Sequence, residues 1–146
     1  MTATNTPSSI LLRLHDTNLT VADPHQDLRS YKVIDTNGQA VGRVEDLLID
    51  DTEKKVRFLL VGSGGFFGTG IGERQFLIPV DAITQIGKES VTINRAGEHV
   101  ASGPHYDPQL MDEGELLKHY NDVYTYYGMM PFWGASYQYP GFTYII

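Results

Sequence analysis

Residues 37–50 read Asn37-Gly-Gln-Ala-Val-Gly-Arg-Val-Glu-Asp-Leu-Leu-Ile-Asp50, and the fold turns on them. Asn-Gly between apolar runs is the strongest short hairpin signal, because both residues tolerate positive φ. On its N-terminal side stands Tyr31-Lys-Val-Ile-Asp35, a strand. On the other side Val41 to Ile49 is the return strand, with Val41, Val44 and Leu47-Leu-Ile49 supplying its apolar faces. That spacing departs from a strict period of two, which places a bulge near Gly42.

Working outward, Asp50-Asp-Thr-Glu-Lys-Lys55 reads as a charged turn, and Val56 to Val61 (VRFLLV) as a third, largely buried strand. Gln75 to Pro79 and Ser90 to Asn94 read as a fourth and fifth, with one helical turn at Asp81-Ala-Ile83 between them. Short strands at close spacing, joined by hairpins, predict a mainly β fold built as a small antiparallel barrel or sandwich. No stretch here holds a βαβ crossover, which argues against a doubly wound sheet. Before the hairpin, Ile10 to Leu14 (ILLRL) is a short apolar segment suited to docking on the domain, followed by the turn-rich Ala22-Asp-Pro-His25.

The end of the chain differs in kind. Asp107-Pro108 has the form of a cap with proline in the first turn, and Asp112 lies three before Glu115, a carboxylate variant of the capping box. Leu116, Leu117, Tyr120, Val123, Tyr124 and Tyr127 then recur at helical spacing, and Gly128 is placed to terminate. One amphipathic helix over 113–127 follows, weakened at its start by Gly114. From Tyr120 onward the chain holds ten of its sixteen aromatic residues and a single charged one, Asp122. Such a tail either packs on its own barrel or binds something. The expected organisation is a lead-in over 1–26, a barrel over 27–95, and a linker, helix and aromatic tail over 96–146.

Composition narrows the function. The 146 residues include no cysteine, so disulfides, thiolate zinc sites and a cysteine nucleophile are excluded. Eleven basic against 18 acidic side chains give a formal charge of −7, which argues against a nucleic-acid partner and against anionic membranes. No apolar run reaches the roughly 20 residues of a membrane span, and the start lacks a signal pattern, so a cytoplasmic protein is expected.

The strands named above, with Asp27-Leu-Arg-Ser-Tyr-Lys-Val33 and Phe76-Leu-Ile-Pro-Val80, make the chain similar to the PRC-barrel family, named for the photosynthetic reaction centre H subunit. The resemblance covers about half of the chain. It implies a strongly bent antiparallel barrel of about six strands that mediates protein contacts, with no catalytic residues and no cofactor. The flanking Ala22-Asp-Pro24, Gly103-Pro-His-Tyr-Asp-Pro-Gln-Leu110 and Tyr126-Tyr-Gly…Pro131-Phe-Trp-Gly…Tyr137-Gln-Tyr-Pro140 resemble stand-alone bacterial members, which implies a place in a stress response.

Several stretches invite sharper readings. Gly62 to Gly72 is glycine-rich, but its spacing fails the G-x-G-x-x-G pattern and no G-K-[ST] is present, so it reads as a flexible connection. Phe66 and Phe67 within it suit an interface or a lipid surface, as do Phe132, Trp133, Tyr137 and Tyr139 in the tail. Self-association, as a homodimer, is one expectation for them. Glu45, Asp46, Asp50, Asp51 and Glu53 fit no calcium loop and read as a solvated acidic turn, so no metal site is expected. No histidine belongs to a zinc motif and no serine to G-x-S-x-G, which points away from an enzyme. His119 lies at the edge of the helix's apolar stripe and shares a side with Tyr126. With His105, Met129 and Met130 these form the alternative reading: axial ligands and walls for a planar ligand such as haem.

Overall fold

The computed structural model describes residues 11–17, 27–63, 74–107, 109 and 112–140. Seven strands form one sheet: β1 (Leu12–Arg13), β2 (Lys32–Ile34), β3 (Ala40–Asp50), β4 (Lys55–Gly62), β5 (Gln75–Pro79), β6 (Ile83–Ile86) and β7 (Ser90–Ile93). Their hydrogen-bonded order is β5-β4-β3-β2-β7-β6, with β1 alongside β3. Two helices follow, α1 (Gly97–Ala101) and α2 (Glu113–Tyr127). No helix among the described residues is long and apolar enough to cross a membrane.

The long β3 organises the sheet. One of its edges pairs with β4 from Arg43 to Asp50. The other is shared, β2 taking Ala40 to Arg43 and β1 taking Leu48 and Ile49. The apolar segment before the barrel thus becomes a short strand. A bulge falls at Val41, where Val33 faces Gly42 and Ile34 faces Ala40. Gly42 is required there, because a Cβ would lie 2.3 Å from the Gly62 carbonyl oxygen.

All pairs are antiparallel except β2 with β7, which run parallel from Lys32↔Ser90 to Ile34↔Thr92. The cause lies between β5 and β6. The chain bends there through a 3-10 turn, Val80–Ala82, without reversing, so β7 returns parallel to β2. Sequence periodicity places one helical turn at this point but misses β6, whose four residues are too few to show a period.

The β2–β3 turn also differs from the expected form. Only Gly38 takes positive φ (79°), not Asn37. The Asp35 carboxylate closes a wider turn instead, its Oδ1 accepting the N–H groups of Asn37 (2.8 Å) and Gln39 (2.9 Å). Its Oδ2 accepts the Gly97 N–H at 2.8 Å and so ties the turn to the start of α1. Burial pushes the Asp35 carboxyl up, but the three N–H donors outweigh it and hold the group below the ordinary carboxylate value.

The core is the sheet interior plus one face of α2. Val33, Leu47, Leu59, Ile78, Val91 and Ile93 are fully buried, and Leu116, Tyr120, Val123, Tyr124 and Tyr127 close over them. Burying each such side chain contributes about 1.5–3 kcal/mol. The helix is capped by Asp112, whose carboxylate accepts the Glu115 N–H at 3.0 Å, and ends at Gly128 in the left-handed region. Asp107, the other candidate cap, accepts the Gln109 N–H in a separate turn. Arg95 donates to the Tyr127 carbonyl, placing a cation at the negative end of α2.

Candidate functional site

The richest side-chain cluster outside the core is built on Arg57. In the β3–β4 ladder Leu48 faces Phe58 and Ile49 faces Val56, which leaves Arg57 as the extra residue of a bulge. A bulge re-aims side chains. Consecutive strand residues normally point to opposite faces, yet Arg57 and Phe58 both reach the C-terminal part of the chain. Phe58 packs on Tyr120 (5.5 Å) and Tyr124 (5.0 Å) of α2. The Arg57 guanidinium lies 4.4 Å from the Phe132 ring centre and 5.8 Å from those of Tyr137 and Tyr139.

Arg57 is buried and its charge is balanced by Asp50 at 3.1 Å, the two side chains being 5% and 11% exposed. Asp50 Oδ1 also accepts the N–H groups of Thr52 and Glu53, so the pair is anchored in the β3–β4 turn. Asp46 is buried as well, accepting from His15 and Leu47. The acidic stretch is therefore only partly solvated: Asp46 and Asp50 are built into the fold, because each has donors that replace water.

Residues 131–140 lie over this arginine. Gly134 N–H to the Pro131 carbonyl (2.9 Å) and Tyr137 N–H to the Gly134 carbonyl (3.1 Å) fold the segment into turns. Trp133 packs edge-on to Tyr124 at 5.8 Å and to Phe132 at 5.0 Å. Tyr139 donates to the Val56 carbonyl (3.0 Å), and Lys55 sits over its ring at 5.0 Å. Tyr137 and Asp81 lie side by side, and neither the Tyr137 hydroxyl nor Asp81 Oδ1 has an ideal hydrogen bond. Burial raises the pKa of both groups. Burial likewise raises the Tyr124 hydroxyl.

The described part of the tail, residues 131–140, is thus docked on its own barrel. Phe132, Trp133 and Tyr139 each turn one side to the core, Tyr137 lies beside the Arg57 guanidinium, and all four remain partly exposed, while Ala135, Ser136 and Gln138 are exposed. Cation–π and aromatic contacts of this kind contribute roughly 0.5–2 kcal/mol each. No charged side chain occurs after Asp122, so the layer itself contributes no charge to the surface beside Lys55. Phe66 and Phe67, the other predicted anchors, lie outside the described residues.

The five residues named for a planar ligand have different neighbours. His105 is exposed and packs edge-on to Phe76 at 5.1 Å, its backbone bridging β5. His119 faces Tyr106 at 6.1 Å, and its Nε2 is buried without a hydrogen-bond partner. Burial lowers the His119 pKa, with Asp122 and Asp107 partly offsetting it. Tyr126 stacks on His99 at 4.3 Å and donates its hydroxyl to the His99 carbonyl at 2.7 Å. Met129 packs against the core, and Met130 lies across Gly134. The described residues contain no group of three or more His, Asp or Glu side chains placed to hold a metal.

Arg57, Lys55 and Asp81 escape sequence reasoning. The one visible signal is a lone arginine inside the apolar run VRFLLV. Strand alternation would send it to solvent, and only the bulge turns it inward.

A family model for the PRC-barrel domain matches residues 23–100, which is 78 of the 146 residues. It includes the barrel side of the Arg57 cluster and ends before α2 and the tail. No curated protein matches the chain.

Proposed function

We propose that this chain, which belongs to the PRC-barrel family, is a non-enzymatic adaptor that self-associates through the aromatic layer docked on its barrel. Barrels of the family often mediate protein contacts. The observation that carries the reading is the layer itself: Phe132, Tyr137 and Tyr139 are fixed around Arg57, Trp133 is fixed against Tyr124, and all four rings are partly exposed. Aromatic residues held rigid before contact lose little side-chain entropy on binding and serve as interface anchors. The buried charges support a non-catalytic role, since Asp35, Asp46, Asp50 and Arg57 all hold structural partners. We place the protein in the cytoplasm, and a stress role rests on the family likeness alone.

Native mass across a concentration series tests the reading. A dimer is expected, with Trp133→Glu lowering association while the far-UV circular dichroism stays unchanged. A full-length chain that remains monomeric at every concentration sinks it.

A second reading is a planar ligand such as haem, and the unpartnered His119 Nε2, disposed to stay neutral, favours it. It requires a Soret shift on adding haem that His119→Ala removes. An unchanged spectrum for that variant takes His119 out of the proposal.

A further inference from the structure

Met130 joins α2 to the aromatic layer and is 47% exposed, one of two large apolar side chains so open among the described residues. It does not point idly into solvent. Its thioether lies in the hollow left by Gly134, where an added Cβ would stand 2.7 Å from Cγ and 2.9 Å from Sδ. The same glycine closes the turn onto Pro131. That turn carries Phe132 to Arg57 and Trp133 to Tyr124. The chain has no cysteine, so thioethers are its readily oxidised sulfur groups. Met129, the neighbouring methionine, packs partly buried against the core.

We propose that Met130 is an oxidation site for hydroperoxides, and that its sulfoxide loosens the 131–134 turn and with it the seating of Phe132 and Trp133. The sulfur lone pair attacks the peroxide, the S–O bond forms as the O–O bond breaks, and water or an alcohol leaves. Sulfur is oxidised by two electrons and the peroxide is reduced by two. The product is bulkier, polar and chiral. Its oxygen must face water, which rotates the sulfur out of the Gly134 hollow or forces the turn to open. A methionine sulfoxide reductase restores the thioether. Self-association is not needed for this to hold.

Trp133 is the only tryptophan, so its emission reports the seating directly. The full-length protein is treated with hydrogen peroxide, oxidised residues are located by peptide mass, and emission is followed. Expected are one added oxygen at Met130, a shift of emission to longer wavelength, and its reversal by the reductase. Met130→Leu should keep its emission under the same treatment, and Met130→Gln should show the shift without peroxide. Unchanged emission after conversion of Met130, an equal shift in Met130→Leu, or oxidation of Met129 ahead of Met130 would each overturn the proposal.

Discussion

The sheet and the C-terminal cap are held by different physics. In the sheet, aliphatic side chains such as Leu47, Leu59 and Ile78 are fully buried, and the ladder of β3 with β4 and β2 fixes their register. In the cap, α2 and residues 131–140 are aromatic, several rings are partly exposed, and the tail rests on a few directional contacts to Arg57, Val56 and Lys55. Apolar burial is non-directional and spread over many residues. The tail's attachment is concentrated at two cations, one carbonyl and the ring of Tyr124. The sheet should therefore tolerate loss of the tail, whereas the tail should not survive small changes to its seat.

The largest expected effect comes where both regions meet. Phe58 is fully buried and packs on Tyr120 and Tyr124. Phe58→Ala should cost roughly 3–5 kcal/mol in urea unfolding and move Trp133 emission at the same time. Arg57→Met comes next, at about 3 kcal/mol, because it leaves Asp50 buried without its counter-charge. Adding Asp50→Asn keeps an acceptor for the Thr52 and Glu53 N–H groups and should recover most of that loss. Trp133 emission should stay shifted in the double variant. If stability and emission recover together, the two regions are not separable in this way.

The same division decided what was legible in the sequence. The strands on either side of Asn37-Gly38 follow from their apolar runs and the turn signal between them, and α2 follows over 113–127 from its 3.6-residue period and from Asp112 and Gly128. Each of these signals is local. What stayed hidden depends on partners distant in the chain. β6 is an unpatterned four-residue stretch until β7 lies beside it, and α1 is fixed by the Asp35 carboxylate, 62 positions earlier. Asp50 read as solvated because its arginine sits in the next strand, aimed by a bulge that leaves no mark in hydropathy. For the tail, composition named the aromatic rings but not the surface beneath them.

A smaller change sharpens the comparison from the tail's side. Tyr139→Phe keeps the ring under Lys55 and removes only the hydroxyl that donates to the Val56 carbonyl. One hydrogen bond contributes about 1 kcal/mol net. Limited proteolysis within 131–140 should quicken while the urea midpoint of the barrel hardly moves. Equal weakening of both would mean that the cap and the sheet unfold as one unit.

The smallest effect is a pH dependence confined to the helical side. Burial lowers the pKa of His99, with Arg95 adding to it, and burial lowers that of His119. Tyr126 and Tyr127 pack on the His99 ring, and Tyr106, Asp107, Asp122 and Lys118 surround His119. Because both folded values lie below the ordinary value of about 6.5, the unfolded chain takes up protons first as the pH falls. The stability these groups contribute is complete above that pH and is lost as the pH drops toward their folded values. Asp81 works in the opposite sense, its raised pKa adding stability on acidification, but it acts closer to the carboxylate range. Between pH 7.5 and 5.5 the urea midpoint should fall, and the His99→Gln, His119→Gln double variant should flatten that slope. Since α1 and α2 carry both histidines, hydrogen exchange at pH 5.5 should quicken in the helices before it does in β3 and β4. Uniform quickening across the sheet would locate the acid sensitivity elsewhere, with the buried carboxylates of the barrel as the first groups to mutate.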